Sequence, residues 1–333
     1  MNISVLLPFH REDNFFYEAL NSVMDSKNVN FQVVLIDDRA EGASGGLNRK
    51  LSNYRNVTYV KNDTSHGYGS ALKVGFQHCQ FEKIALMNSD DLMSPYRLYK
   101  QILALENSGS DLNFAKMSYI AQCGHNRKPL LGAINLENFS PVCLLFGSYG
   151  ADATWVMKRS WFENNFKFDN LDFLDWRIAL NSFQKSKISF VNSPLYSYRK
   201  HASQITNLRK KQLDLFGYTE TYNSWRTLAI DYGFRETNES LFNFMATPFL
   251  RPNTLSEEVN FEYLIHDFEN LKENLPVECF KELRKILRRR CAIYVIQNIS
   301  SYKFDNKMFS LSNLELMRVI KDFLYNSRCQ FCD

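Results

Sequence analysis

The sequence predicts an α/β fold: a mainly parallel sheet with helices on both faces, followed by a helical C-terminal region. Three observations carry this. Near-continuous apolar runs alternate with segments of helical period from the N-terminus to about Leu105. Such runs belong to strands buried on both faces, and alternation with helices makes their sheet parallel. Two of the runs stop abruptly at acidic pairs, where the carboxyl ends of parallel strands offer ligands a crevice. Beyond Thr206 the strand signals fade, and Leu, Phe and Tyr recur at helical spacing among many charges.

Taken in order, Ile3–Leu7 is a buried strand, and Phe16, Leu20 and Val23 mark a helix behind a cap at Asp13 or Asn14. Gln32–Ile36 is a second strand, ending in Asp37 and Asp38. Leu47 and Leu51 indicate a short helix, and Val57–Val60 a third strand. Ser70–His78 reads as a helix and Lys83–Met87 as a strand that ends at Asn88-Ser89-Asp90-Asp91. Ser94-Pro95 looks like a cap and first turn for a helix carrying Leu98, Ile102 and Leu105. Leu112–Ile120 and Ala151–Met157 are read as further strands.

The 333 residues suit two or three compact units. A net charge of +4, with no basic block interleaved with aromatics, argues against a nucleic-acid binder. The opening MNISVLLPFHRED has neither the basic flank nor the cleavage site of a signal peptide, and no apolar stretch reaches spanning length, so the expected location is cytoplasmic. Seven cysteines agree with a reducing compartment. Cys79, Cys123, Cys143, Cys279 and Cys291 sit among apolar neighbours as small core residues. Cys329 and Cys332 form a lone C-x-x-C without the second ligand pair that a zinc site needs.

Adjacent carboxylates repel unless solvent or a cation compensates them. Asp90 and Asp91 therefore suit Mg²⁺ or Mn²⁺, hard ions that also bind substrate phosphates, or else they cap the next helix. Asp37 and Asp38 end a second strand, suited to reading a base or ribose through hydrogen bonds. Between the pairs lies SHGYGSALKVGF, with Gly67-x-Gly69 but Leu72 where a dinucleotide fingerprint wants glycine. Its glycines fit a loop where backbone passes close to a ligand.

These segments together resemble the family 2 glycosyltransferases, which have the GT-A fold. ISVLLPFHRED is similar to that family's first strand, with Pro8 at its end, and QVVLIDDRA to its second. SHGYGSALKVGF resembles the middle glycine segment through Gly67, Ala71 and Gly75. NSDDLMSPYRLYKQ resembles the D-x-D-D segment, and LYSYRKHASQIT the Y-R-x-H segment that closes the catalytic region. The resemblance covers about residues 1–206 and implies a nucleotide-sugar-binding half at 1–105, an acceptor-binding half at 106–209 and a mostly helical region at 210–333.

What it implies is a metal-dependent inverting hexosyl- or N-acetylhexosaminyl-transferase of cell-surface polysaccharide biosynthesis, acting in capsule, O-antigen or lipooligosaccharide formation. Its donor is a nucleotide diphosphate sugar, by default a UDP-sugar because Asp38 falls on the base-contacting aspartate. Donor contacts fall on Pro8, Asp37, Asp38, Gly67, Lys73, Asp90, Arg199 and His201, and the Mn²⁺ or Mg²⁺ ion on Asp91 and Asp90. The family's acidic pair at a helix start, several residues before an arginine, meets NLDFLDWRIAL here. Asp172 is the first candidate for the base and Asp175 the second, with Arg177 as the arginine one residue too near Asp172. Asn88 replaces the first aspartate of D-x-D-D, and Ser65 and Lys73 replace two asparagines of the middle segment.

Two other readings remain. Asn88 and the irregular base segment would suit a catalytically degenerate nucleotide-sugar-binding subunit. A sugar nucleotidyltransferase would need a glycine-rich basic loop after the first strand, which Pro8–Glu12 lacks. Finally, Lys281–Arg290 is the densest basic run. Phe280, Leu283 and Leu287 share one helical face there. Arg284, Lys285, Arg288 and Arg289 lie on others, either as a solvated surface or as a peripheral contact with the inner face of a membrane that carries a lipid-linked glycan acceptor.

Overall fold

The computed structural model describes residues 1–39, 47, 51, 54, 56–63, 67–122, 128–129, 139–147, 150–202, 204, 215–246, 259 and 261–297, without side chains at 215, 246, 261–262, 288–289 and 291–297. Ser65, Cys123, Cys329 and Cys332, and the side chains of Cys291, Arg288 and Arg289, lie outside the described residues.

The first apolar run forms β1 (Asn2–Phe9), paired in parallel with β2 (Asn30–Asp37) from Asn2↔Asn30 to Phe9↔Asp37. β3 (Val57–Lys61) and β4 (Lys83–Leu86) extend this parallel sheet on its two sides. Leu6 accepts from the Met87 amide at 3.0 Å. Pro8, two residues on, faces the same side beyond the end of β4, where its missing N–H deprives no ladder partner. Helix α1 (Asn14–Met24) is capped by Asp13, whose carboxylate accepts from the Phe16 amide at 3.0 Å, and it buries Phe16, Ala19, Leu20 and Val23. Leu47 and Leu51 are helical and buried.

Helix α2 (Tyr68–Phe76) starts two residues ahead of the expected Ser70. Helix α3 (Arg97–Ser108) starts later than Ser94-Pro95 suggests, with Tyr96 at its cap. The cause is tertiary. The short strand β5 (Leu92–Met93) pairs with β9 (Ile188–Arg199), and the Ser94 amide donates to Leu195 at 2.9 Å, which holds the chain extended up to Pro95.

The remaining strands are β6 (Leu112–Ile120), β7 (Lys128–Pro129) and β8 (Val156–Lys158). Among the described residues they join one nine-stranded sheet in the order β3-β2-β1-β4-β8-β6-β9-β5, with β7 on β6. β8 is antiparallel to both β4 and β6, so the sheet is parallel at one end and mixed at the other. The strand expected over Ala151–Met157 is instead a 3₁₀ turn, Asp152–Thr154, followed by β8. Side chains claim the carbonyls that a strand neighbour would have used: Arg97 Nη2 donates to Ala153 at 2.7 Å and Gln101 Nε2 to Thr154 at 2.8 Å. The long strand β9 carries no clear alternation in sequence. Helices α4 (Arg159–Asn165) and α5 (Leu174–Ser182) separate it from β8.

The chain divides into two compact units, one of residues 1–137 and 149–221, the other of 138–148 and 222–333. The second comprises a 3₁₀ segment, Pro141–Phe146, most of α6 (Leu215–Asp231), and helices α7 (Glu239–Ala246), α8 (Phe261–Asn270) and α9 (Val277–Gln297). Its core includes Trp225, Phe242, Phe268, Phe280, Leu283 and Leu287. Trp225 Nε1 donates to Leu145 at 3.0 Å, and buried Arg290 donates to the carbonyls of Phe146 and Met245. Cys79, Cys143 and Cys279 are free and buried, as small core residues should be.

Candidate active site

The two acidic pairs lie at and just beyond the carboxyl ends of β2 and β4. At the end of β2, Asp37 is fully buried and bonded to Arg39 at 2.8 Å and to the Tyr59 hydroxyl at 2.7 Å. Burial pushes its carboxyl up, but the bonds and charge of Arg39 and the Tyr59 bond outweigh it and leave it below the ordinary value. Arg39 in turn reaches Glu12 at 3.1 Å. Asp38 points the other way: Oδ1 accepts from Asn62 Nδ2 at 2.6 Å and Oδ2 from the Gly67 amide at 2.9 Å.

After β4 the second pair splits as well. Asp91 is fully buried. Its Oδ1 accepts from the Arg199 amide at 2.8 Å, and Oδ2 accepts from the Tyr196 hydroxyl at 2.8 Å and Asn88 Nδ2 at 3.2 Å. Burial and then the Asp90 charge push its carboxyl up, against those three bonds. Asp90 keeps a third of its side chain exposed and sets Oδ2 at 3.0 Å from His201 Nε2. His10, just past β1, feels the charges of Asp90 and Asp38; partial burial and the Arg11 charge nevertheless lower its pKa.

Arg199 is buried and turned inward. It donates to the Asp90 carbonyl at 2.9 Å, the Gln122 carbonyl at 2.8 Å and Glu18 at 2.6 Å, with its guanidinium over the Phe15 ring. Lys73 is exposed on α2, and Gly67, at φ 131°, begins that helix.

The two base candidates part company. Asp175 opens α5. Its charge, with those of Asp152 and Asp91, acts on the Tyr68 hydroxyl, which is buried without a hydrogen-bond partner of good geometry and is pushed far up, first by burial. Asp152 is itself pushed up, by burial and then by Asp175. Tyr68, Asp91, Asp152 and Asp175 therefore lie within electrostatic reach of one another. Asp172 belongs to the preceding turn, and its carbonyl accepts from Arg177 Nε at 3.2 Å.

Sequence reasoning missed Asp152, Tyr68, Tyr196 and Asn62. Asp152 sat in a segment read as strand, and single aromatic or amide residues carry no local signal. Asn62 directly follows β3 in a parallel sheet, the one hint that was legible.

The Asp90 carboxylate is a hard oxygen donor of the kind that Mn²⁺ or Mg²⁺ takes, while the His201 imidazole beside it is a softer donor. Among the described residues no group of three or more His, Cys, Asp or Glu could hold a metal. A cation here would share one or two protein ligands with water and substrate phosphate, as Mg²⁺ does. Asp91 offers nearby charge, while its oxygens already accept from protein donors.

With the geometry in view, three comparisons place the chain. The profile described as Glycosyl transferase family 2 matches residues 4–183. The putative glycosyltransferase EpsH of Bacillus subtilis is 20% identical over 225 residues, which cover 63% of this chain and 64% of EpsH. The O-antigen biosynthesis glycosyltransferase WbnJ of Escherichia coli is 23% identical over 235 residues, 61% of this chain and 90% of WbnJ. The chain thus spans slightly less than two thirds of EpsH, and 16% of a Rickettsia conorii uncharacterized glycosyltransferase. Among solved structures, residues 1–349 of S. aureus TarS in complex with UDP-GlcNAc superpose with a TM-score of 0.57 at 15% identity, covering 92% of this chain and 94% of that one. The mannosyltransferase PcManGT from Pyrobaculum calidifontis, in complex with GDP-Man and Mn²⁺, gives 0.51 at 11% identity, covering 97% and 87%. These likenesses show a shared GT-A fold. Because the family profile takes in more than half of the sequence, from β1 through α5, the chain belongs to glycosyl transferase family 2.

Proposed function

We propose that the protein transfers a sugar from a nucleotide diphosphate, by default UDP, to a hydroxyl of a cell-surface glycan, with inversion at the anomeric carbon. The observation that carries this is that Asp152, Asp175 and Asp91 all lie within electrostatic reach of one buried Tyr68 hydroxyl, beside an Asp90–His201 pair in which Asp90 keeps a third of its side chain exposed. Donor-side and acceptor-side carboxylates then share one site at the strand ends. Support also comes from the relatives: WbnJ is named for O-antigen biosynthesis, and TarS has been solved with UDP-GlcNAc and with UDP.

In this reading Asp38, Gly67 and Pro8 line the nucleotide side, and Asp90 and His201 hold the Mn²⁺ or Mg²⁺ ion. That ion would offset charge on the leaving diphosphate. Asp37 and Arg199 act as scaffold, because their polar atoms are committed inside the protein. Asp175 takes the base role in preference to Asp172. Ionised, it accepts the proton of the acceptor hydroxyl as that oxygen bonds to the anomeric carbon and the bond to diphosphate breaks. Asp152, with its raised pKa, holds a proton more readily, so that one charge of the pair stays available as base.

A thermal-shift panel of nucleotide sugars with Mn²⁺ identifies the donor, since a ligand bound only by the folded state raises the melting point. With that donor, Asp175→Asn is expected to cut turnover by about 10²–10⁴, with donor affinity changed less than about threefold. Asp172→Asn should cost under about tenfold. The reverse pattern would return the base role to Asp172, and full activity in both variants would refute base catalysis from this segment.

The proposed location is the cytoplasm, with a reversible contact at the membrane face. Among the described residues no helix is long and apolar enough to cross a membrane. On α9, Phe280, Leu283 and Leu287 are buried while Arg284 and Lys285 are exposed, Arg284 lying 3.5 Å from Glu269. Each basic residue at an anionic surface contributes about 1 kcal/mol. Sedimentation with anionic liposomes at low salt, abolished by high salt or by Arg288/Arg289→Glu, is the expected result. Equal recovery in the supernatant under all conditions would refute the contact.

A further inference from the structure

The glycine loop and the segment that bears Asp172 and Asp175 are in unusually close contact. Gly69 has no room for a side chain, because a Cβ there would lie 1.8 Å from the Asp169 carbonyl oxygen. A Cβ on Gly67 would lie 2.5 Å from the Asn170 side chain, and Gly67 holds a φ of 131° that few other residues adopt. Asn170 Oδ1 accepts from the Ser70 amide at 3.1 Å, satisfying one of the free N–H groups in the first turn of α2.

Each side of this contact leads on to a part of the site. On the nucleotide side, the Gly67 amide donates to Asp38 at 2.9 Å and the Ser70 hydroxyl donates to the Gly67 carbonyl at 3.0 Å. On the other side, the Asp169 carboxylate grips buried Arg177 through both terminal nitrogens, at 3.0 and 2.5 Å. Arg177 lies two residues beyond Asp175 in α5, and its Nε donates to the Asp172 carbonyl at 3.2 Å. The turn between them closes with Phe173 at φ 60°, a conformation that a bulky residue holds only when its surroundings impose it.

We propose that Asp169 and Asn170 form a latch between the nucleotide-side glycine loop and the base-bearing segment, so that an occupied nucleotide site orders residues 168–175 and sets the position of Asp175. The proposal rests on the transferase reading above and adds positioning residues to it. A contiguous chain of contacts couples two sites only when occupancy at one shifts an equilibrium at the other, and that shift is measurable without knowing the acceptor.

The test is amide hydrogen exchange on the full chain, with and without UDP and Mn²⁺. In the wild type, saturating UDP is expected to slow exchange across 168–175 by about fivefold or more. Asn170 is exposed, so Asn170→Ala should fold, with Asn170→Ser as the second variant. Both should bind UDP within about threefold of wild type yet lose the protection at 168–175. Protection that survives in the variants, or UDP binding to the wild type without protection, would overturn the latch alone. A loss of UDP affinity beyond about tenfold would place Asn170 in the nucleotide site and overturn it too. Failure of UDP, GDP, CDP and dTDP alike to bind the wild type would overturn the nucleotide-sugar reading and the latch with it.

Discussion

Two Asp-Asp pairs end two strands of the same sheet, and the protein treats them in opposite ways. At β2 the first member turns inward, and the protein supplies its counter-charge: Asp37 is bonded to Arg39 and Tyr59 and held below the ordinary carboxylate range. At β4 the second member turns inward, and its partners are neutral: a hydroxyl, an amide side chain and a backbone N–H surround Asp91, which burial pushes up. The outward members differ too. Asp38 accepts from Asn62 and Gly67, both neutral donors, whereas Asp90 faces His201 and solvent. The buried charge of the first pair therefore has a cation bonded to it. The buried charge of the second is unbalanced by any bonded cation, with Arg97 acting only at longer range, and a cation is expected to bind beside it at Asp90.

The sharpest way to break this comparison is to remove Asp90. Asp90→Ala is expected to lower Mn²⁺-dependent transfer by about 10³-fold or more, since metal stabilisation of the leaving group is worth several kcal/mol. Its melting point without metal should stay within a degree or two of wild type. Activity that persists undiminished in EDTA would contradict the unbalanced-charge account.

Asp37→Asn should do the reverse and damage the fold. Removing one partner of a buried ion pair costs about 3–5 kcal/mol when the other charge is left uncompensated, and less here because Arg39 keeps some solvent contact and its second ion pair to Glu12. The pH dependence follows from the depressed carboxyl. Its stabilisation is complete above the unfolded value, near 3.8, and is lost as pH falls through the lower folded value. Urea melts of wild type and variant should thus differ by a constant amount from neutral pH to about 5 and converge in stronger acid. A gap that widens in acid would show that Arg39 does not hold the charge.

Asp91→Asn tests the opposite shift. Removing the buried charge is favourable, but the new amide N–H₂ meets only donors at Asp91. One buried donor is left unmatched, at about 1–3 kcal/mol, and the net metal-free loss should stay below that of Asp37→Asn. A loss as large as that of Asp37→Asn would erase the distinction between the pairs. The smallest effect belongs to Lys73→Ala. An exposed lysine contributes at most about 1 kcal/mol, so UDP affinity should fall no more than about fivefold.

Much of the parallel half was legible because its strands are buried on both faces and so read as unbroken apolar runs. Gln32–Ile36 lies wholly inside β2, and the Asp13 cap bonds the amide that a cap should. The mixed half was harder. At Asp152–Thr154 an apolar stretch became a turn because Arg97 and Gln101, more than fifty residues earlier, took its carbonyls. The start of α3 moved because β5 found a partner a hundred residues downstream. Around Asp172 and Asp175 the sequence could only order two candidates by their place before Arg177, and that the Asp175 charge reaches Tyr68 and Asp152 is visible only in the fold.

Fold class and the two acidic strand ends could be read from pattern along the chain, because burial of a parallel sheet writes itself locally in apolar runs and the ligand crevice must follow at the carboxyl ends. The family was legible only through the resemblance of five segments in order. Alternation at the end of β2 also turns Asp37 and Asp38 opposite ways, whereas Asp90 lies in a turn beyond β4 and Asp91 follows it. Which member of each pair faces inward was decided only by tertiary structure. Arg39 lies two residues from Asp37, but Tyr196 and Arg199 stand 105 and 108 residues from Asp91. A carboxylate's state depends on the groups within a few ångströms of it, and only the folded chain brings those distant donors there.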